Sequence, residues 1–312
     1  MDLEIRTFLP GDEAKQAAIY NALADKMPGF KPSAVEEIRR RGKDPDFEAS
    51  LRFVAVAKGQ TIGYCNAQKN GRIGFPWCLP GHNAEEPLLD AALAACEAIG
   101  IKKVFTAYRG DWVRVTQFFE AHGFKKTREM VNYFQNLLDL PTMVIRRGLN
   151  ISALRKEDVP TVAAMVPGLI NLPPAQLVNH WFANPYFAAD SLFVFRRSDE
   201  TPQGVGMLIS KPEYADPLKI DPNAPCFRLG AFGSEGRTTK RVNGLFSFLV
   251  REDSDSTAVA LDLLSFALNR IQDDSVEVLA AQAPSDVRHL TGFYQKYFRK
   301  QGGFPIFERE LA

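Results

Sequence analysis

The side chains best suited to chemistry lie late in this sequence. Tyr294, in the run F-Y-Q-K, carries a phenol whose ordinary pKa of about 10 equips it to give a proton. Glu235, in G-A-F-G-S-E-G, is a loop carboxylate of the kind whose pKa rises when a cleft buries it, and it is the first candidate for a base. His289 is a second candidate through its near-neutral pKa. Arg237, Lys240 and Arg241 flank the same glycine-rich stretch and could hold phosphates or an acidic ligand. Each group has a plain structural alternative: Tyr294 as a core aromatic, Glu235 as a solvated loop acid, His289 as a helix-surface residue, the basic trio as a solvated turn. Asp111 and Asp286 each precede a helix and read as N-caps, while Trp77, Trp112 and Trp181 read as core or rim.

The elements that must position these groups occur twice. LLDAALA from Leu88 matches LLSFALN from Leu263, and 263 minus 88 is 175. DWVRVTQFF from Asp111 matches DVRHLTGFY from Asp286, and 286 minus 111 is again 175. Nearer each start, Asp12 aligns with Asp158, and 158 minus 12 is 146, so the second copy carries 29 additional residues before its LL helix. A repeat this long is a duplicated domain rather than a solenoid unit, whose period is about 20 to 50 residues.

Each copy reads as a short strand (4–8; 150–154), a helix begun by an acid, two strands around a glycine-containing turn, and a third strand running into a loop and a long apolar-faced helix. A buried-looking strand follows (KKVFTAY; VEVLAAQ), then a helix holding F-F or F-Y, then a last strand. The class is α/β of the α+β kind, with a mixed sheet in each of two domains, 1–140 and 141–312. The boundary is placed near Pro141. The additional residues of the second copy fall near 211–241, a Pro/Gly-rich insertion without helical period.

With 38 basic and 37 acidic side chains, the chain has no overall field to hold nucleic acid or an anionic membrane. Cys65, Cys78, Cys96 and Cys226 are scattered without a C-x-x-C pair, so reduced thiols and no metal are expected. The first residues lack the apolar stretch of a leader and no run reaches the ~18 apolar residues of a span, which makes the cytoplasm the expected compartment.

The element order, the loop-to-helix step after the fourth strand and the late F-Y-Q-K helix together resemble the GNAT superfamily of N-acetyltransferases, here in tandem. Phe293, Tyr294, Gln295 and Lys296 match the family's F-Y-x-K, with Gly303 and Phe304 beyond; the first copy has Phe118, Phe119 and Glu120, then Gly123 and Phe124. The resemblance implies acetyl-CoA as acyl donor, an amine as acceptor, Tyr294 as the acid that protonates the departing thiolate, and a base for the amine proton, for which the loop carboxylate Glu235 is the first candidate. It also implies that the end of the fourth strand and the loop after it hold the cofactor. These are Leu249, Val250, Arg251, Ser254, Ser256 and Thr257 in the second copy, and Leu79, Gly81, His82, Asn83 and Ala84 in the first. The family's R/Q-x-x-G-x-G/A signature is kept by neither. Glu85 and Glu86 in one loop, and Glu252, Asp253 and Asp255 in the other, bring carboxylates to where a pyrophosphate would sit, although acids also stabilise a helix N-terminus.

Two functions lead, and a third that the resemblance implies, aminoacyl transfer from charged tRNA, is disfavoured by the near-zero net charge. One is an N-acyltransferase with the C-terminal domain active, since Phe119 replaces the tyrosine in the first copy, acting on a small-molecule or peptide amine without nucleic acid or membrane. The other is a binding or interaction protein that kept the fold and lost the donor site.

Overall fold

The computed structural model describes residues 3–30, 32–43, 47–139, 149–166, 169–170, 172–183, 190–210, 242–253, 255–271 and 277–311. The first copy runs β1 (Leu3–Thr7), α1 (Asp12–Ala24), α2 (Val35–Arg41), β2 (Arg52–Ala57), β3 (Gln60–Asn66), β4 (Trp77–Cys78), α3 (Glu85–Ala98), β5 (Lys103–Ala107), α4 (Val113–Ala121) and β6 (Lys125–Asn136). The second runs β7 (Ile151–Ala153), α5 (Val159–Ala163), α6 (Pro174–Phe182), β8 (Leu192–Arg196), β9 (Pro202–Ile209), β10 (Val242–Val250), α7 (Ser256–Arg270), β11 (Val278–Pro284), α8 (Arg288–Tyr297) and β12 (Arg299–Glu310). The two orders correspond element for element, as the duplicated sequence requires. The interdomain Pro141 and the 211–241 insertion lie outside the described residues.

In the first unit, β1 to β4 form an antiparallel sheet in chain order. Its β2–β3 hairpin turns on Lys58 and Gly59, both at positive φ, the geometry that matches the twist of the flanking strands. In the second unit the strands lie in the order β6-β11-β10-β9-β8-β7, with β10 and β11 parallel and the other pairs antiparallel. On one face α7 and α8 pack Leu263, Leu264, Phe293 and Tyr294 against Phe246, Phe248 and Val250. On the other, α5 and α6 pack Val159, Val162 and Leu177 against Leu192, Val194 and Val205.

The repeated leucines have a packing reason. A Cβ on Gly63 would stand 3.1 Å from Leu88 Cδ1, and a Cβ on Gly204 would stand 3.1 Å from Leu263 Cδ1. In each unit the long helix therefore lies on a glycine of the second hairpin strand, so close that a Cβ there would press on the leucine.

The last strand of each copy goes to the other unit. Met130–Asn136 of β6 pair antiparallel with β11, setting Val131 opposite Ala283 and Tyr133 opposite Ala281, while Ile306–Glu310 of β12 pair with β5. The compact units follow this exchange: the first takes the described residues up to Arg128 and again from Phe304, and the second takes Glu129 to Gly303. A strand of alternating apolar residues is legible as a strand in either unit, so its destination is a tertiary fact.

Both copies fasten the first helix with an aspartate held by an arginine fork. Asp12 receives Arg6 Nη1 and Nη2 at 2.7 and 2.9 Å and the Leu9 N–H at 2.8 Å. Asp158 receives Arg196 Nη1 and Nη2 at 2.9 and 2.6 Å and the Arg155 N–H at 2.9 Å. The aspartates correspond in the repeat, but the arginine stands on β1 in one unit and on β8 in the other, where Ser152 of β7 accepts from Arg196 Nε at 3.2 Å.

Burial pushes the Asp158 carboxyl up, but Arg196 and the Arg155 amide outweigh it and hold its pKa below the ordinary 3.8. Arg6 holds Asp12 below its ordinary value likewise. A depressed carboxylate pKa contributes stability that is complete above the unfolded value and is lost as pH falls through the lower folded one. Arg196 and Asp158 side chains are only 3% and 10% exposed, so Arg196→Ala strands a buried carboxylate and is expected to cost about 3–5 kcal/mol in urea unfolding at pH 7. The same variant should lose less stability than wild type between about pH 5 and pH 2, because its Asp158 no longer has a depressed pKa to surrender.

Candidate functional site

β10 and β11 run parallel only briefly. Their pairing joins Val242 to Val278, Gly244 to Leu279 and Leu245 to Ala280, with a register shift after Val242, and then stops. Beyond it β10 continues to Val250 against β9, and β11 continues to Pro284 against β6. The Arg251 N–H donates to the Gln203 carbonyl at 3.0 Å, and antiparallel pairing alternates. The amides of residues 249, 247 and 245 therefore turn to β9, that of Phe246 completes the last parallel pairing with β11, and those of Phe248 and Val250 turn into the gap between the parted strands.

Tyr294 stands at that gap. It is 1% exposed, packed with Phe248 at a 5.3 Å ring separation and stacked on Tyr133 at 5.3 Å and 24°. Burial drives its pKa far above the usual phenol value, and its polar neighbours, the Ser247 side chain and the Phe248 amide, pull the other way. Its Oη makes no hydrogen bond of standard geometry among the described residues. The group is a protonated phenol beside the Phe248 amide and the Ser247 side chain, short of a hydrogen bond of standard geometry to either.

The first unit has the same parting of strands but fills it. Phe105 bridges Arg72 in parallel through the bonds Ile73 N–H to Phe105 O at 2.8 Å and Phe105 N–H to Gly71 O at 2.9 Å. After them the Phe75 N–H donates to the Tyr108 hydroxyl at 2.7 Å. Burial pushes the Tyr108 phenol up to about 12, with the Phe75 amide opposing. Tyr108 stacks on Trp112 and on Phe119, and the Trp112 Nε1–H donates to the Pro28 carbonyl at 2.8 Å. At the shift of 175, Tyr108 corresponds to Ala283 and Phe119 to Tyr294. One unit thus has its phenol on the strand, bonded to the amide; the other has alanine there and its phenol on the helix.

The loops expected to hold a cofactor lie after β4 and β10. In the first, Leu79 is tied to the Ile62 carbonyl at 2.8 Å, Gly81 and Asn83 adopt positive φ, and Ala84 caps α3 without a side-chain bond. His82 lies between Gly81 and Asn83 in that loop, Glu85 is paired with Arg114 at 3.2 Å, and Pro87 brings no N–H to the first turn of α3. In the second, Leu249 and Val250 end β10 and Arg251 follows, while Ser256 and Thr257 open α7 with no side-chain cap; Ser254 lies outside the described residues. Asp253 accepts the Asp255 N–H at 3.0 Å and pairs with Arg197 at 3.2 Å. One loop amide is therefore already taken by the loop's own carboxylate.

The structure places His289 on α8, half-buried, with Nε2 buried and unpartnered among the described residues; burial lowers its pKa and Glu252 raises it. Glu235, Arg237, Lys240 and Arg241 lie outside the described residues. The N-cap reading of Asp111 and Asp286 is corrected: Trp112 and Val287 occupy those positions, and Asp111 instead takes Arg109 Nε and Nη2 at 3.0 and 2.8 Å. Trp77 and Trp112 are core, and Trp181 is packed at the edge of the α5–α6 cluster. Among the described residues Cys65, Cys78 and Cys96 are free and buried, no His/Cys/Asp/Glu group could hold a metal, and no helix is long and apolar enough to cross a membrane. Sequence reasoning missed Tyr108, Tyr133 and Ala283; the repeat register, read residue by residue, carries the Tyr108–Ala283 exchange.

No protein-family model and no curated protein matches this sequence. Solved structures do match it in fold. A GCN5-related N-acetyltransferase from Sphaerobacter thermophilus aligns over 99% of this chain and 95% of its own, at a TM-score of 0.62 and 12% identity. A tandem GNAT protein from the clavulanic acid biosynthesis pathway aligns over 99% and 98%, at 0.56 and 11%. A GCN5-related glucosamine N-acetyltransferase region in a fungal multi-domain GH3 β-N-acetylglucosaminidase aligns over 98% of this chain and 38% of that one, at 0.65 and 12%. The chain has the GNAT fold, arranged in tandem.

The Tyr108 bond gives the first unit its own test. Tyr108→Phe keeps the ring and removes the acceptor of the Phe75 amide, which should lower stability by about 1–3 kcal/mol in equilibrium unfolding.

Proposed function

We propose that the second unit is an N-acyltransferase site that takes acetyl-CoA as donor and an amine, on a small molecule or peptide, as acceptor. The observation that carries this reading is the parting of β10 and β11 beside the unpartnered Tyr294 phenol. Inward-turned amides of Phe248 and Val250 fit the amide groups of a pantetheine arm, which can pair with a strand edge as another strand would. The uncapped first turn of α7, with Ser256 and Thr257, fits phosphate oxygens. The bound thioester would supply an activated acyl carbon. The acceptor nitrogen bonds to that carbon, the carbon–sulfur bond breaks, the thiolate receives the Tyr294 proton, and the amine proton passes to a base. His289 is the base candidate among the described residues and Glu235 the one outside them. Burial keeps the phenol protonated across the working range while making its proton harder to give, so the developing thiolate charge must draw it out. Tyr108 and Phe119 leave the first unit without either an open gap or a helix phenol.

A second reading, a binding protein of GNAT fold, is favoured by one feature. Asp253 already holds the Asp255 amide and sets a carboxylate in the loop where a pyrophosphate would bind.

Isothermal titration separates them: the acyltransferase reading predicts saturable heat at one acetyl-CoA per chain, and the binding reading predicts none. With a competent amine, Tyr294→Phe should lower kcat about 10²-fold or more with KM for acetyl-CoA little changed. The wild-type rate should show no loss attributable to phenol ionisation up to about pH 10.

A further inference from the structure

We propose that Tyr133 is the positioning residue for Tyr294, so that the chemistry of the second unit depends on a side chain encoded at the end of the first repeat. The proposal rests on the acyl-transfer reading of this site and names a residue that reading does not use.

The argument begins with what holds the Tyr294 ring. Beneath it on β11 stand Ala281 and Ala283, both fully buried and both too short to grip an aromatic ring from the side. The ring is fixed instead by its aromatic neighbours. Phe248 lies at 5.3 Å on β10, Phe298 meets it edge-on at 5.1 Å, Phe293 meets it at 5.7 Å, and Tyr133 stacks nearly parallel at 5.3 Å and 24°. Tyr133 reaches this place because β6 pairs with β11 in a register that sets it opposite Ala281, so the missing side chain on β11 leaves the space its ring occupies. It is 0% exposed. Its hydroxyl has no partner of standard geometry among the described residues, with the Gln295 side chain of α8 the polar group near it, and the ring supplies its stacked contact.

Phe293 and Phe298 flank Tyr294 on and just beyond α8 and move with it. Phe248 belongs to the strand whose amide the phenol must address. Tyr133 is the face-to-face support from a separate strand, which sets the tilt of the ring relative to the Phe248 amide. The corresponding position in the first unit is held by Phe307, which β12 sets opposite Thr106 as β6 sets Tyr133 opposite Ala281, since 106 plus 175 is 281. There the helix ring is Phe119, which has no proton to place.

The full chain carries the test. Tyr133→Phe keeps the stack and should keep kcat and KM within about twofold of wild type, whereas Tyr133→Leu should lower kcat about 10- to 100-fold with KM for acetyl-CoA within twofold. Tyr133→Met, which fills the space without a ring, should match Tyr133→Leu and replaces it if that variant fails to fold. NMR of ring-labelled tyrosine supplies a readout that needs no turnover. The Tyr294 signal, assigned by its loss in Tyr294→Phe, should show slow ring flipping in wild type and Tyr133→Phe and averaged signals in Tyr133→Leu or Tyr133→Met. Unchanged kcat and slow flipping in the ringless variants would overturn the proposal, as would Tyr133→Phe losing as much as Tyr133→Leu. If wild type gives no heat with acetyl-CoA, the acyl-transfer reading fails by itself, and the ring-flip comparison still decides whether Tyr133 holds Tyr294.

Discussion

The constraint on which the second unit depends is the early end of the β10–β11 pairing. A strand amide that leaves its ladder must find another partner or remain costly. Those of Phe248 and Val250 are turned away from β9 by alternation and lie beyond the last pairing with β11. Two copies of one fold answer the problem differently. In the first, the Tyr108 hydroxyl satisfies the Phe75 amide at 2.7 Å and an aromatic cluster closes over it. In the second, alanine stands at the matching strand position and the phenol reaches the Phe248 amide from the helix, short of a hydrogen bond of standard geometry. At this place the two units therefore differ by one relocated tyrosine.

Elsewhere the copies conserve interactions rather than residues. Asp12 and Asp158 both receive a bidentate arginine, yet that arginine comes from β1 in one unit and from β8 in the other. The helix anchor survives because a planar guanidinium can reach the same carboxylate from either neighbouring strand. A glycine lies under Leu88 and another under Leu263, where a Cβ would stand 2.9 Å from the Trp77 carbonyl oxygen in one unit and 2.8 Å from the Val259 side chain in the other. Interactions satisfied by reach tolerate relocation; those satisfied by close approach do not.

Much of this was legible in the sequence. Leu88 and Leu263, and Asp111 and Asp286, carried the constant register, and the structure bears out the duplicated element order and the GNAT fold built on it. The partner of β6 was not legible, because apolar alternation specifies a buried face but not whose sheet supplies it. Asp111 misled as a cap because an aspartate ahead of a helix serves an arginine two residues back just as well. The acids of the loops were read as occupying an anion site, and Asp253 on the Asp255 amide gives that reading a specific bond. Tyr294 was legible as a candidate; the alanines and Tyr133 that shape its surroundings required the register of β11 to be seen.

The central claim is that the parted strands of the second unit receive the donor and those of the first do not. Hydrogen exchange read by mass spectrometry with and without acetyl-CoA addresses it directly. The account predicts added protection in the segment containing Phe246, Phe248 and Val250, with the segment containing Phe75 unchanged. Protection of the Phe75 segment instead, or of neither segment at saturating acetyl-CoA, would contradict it.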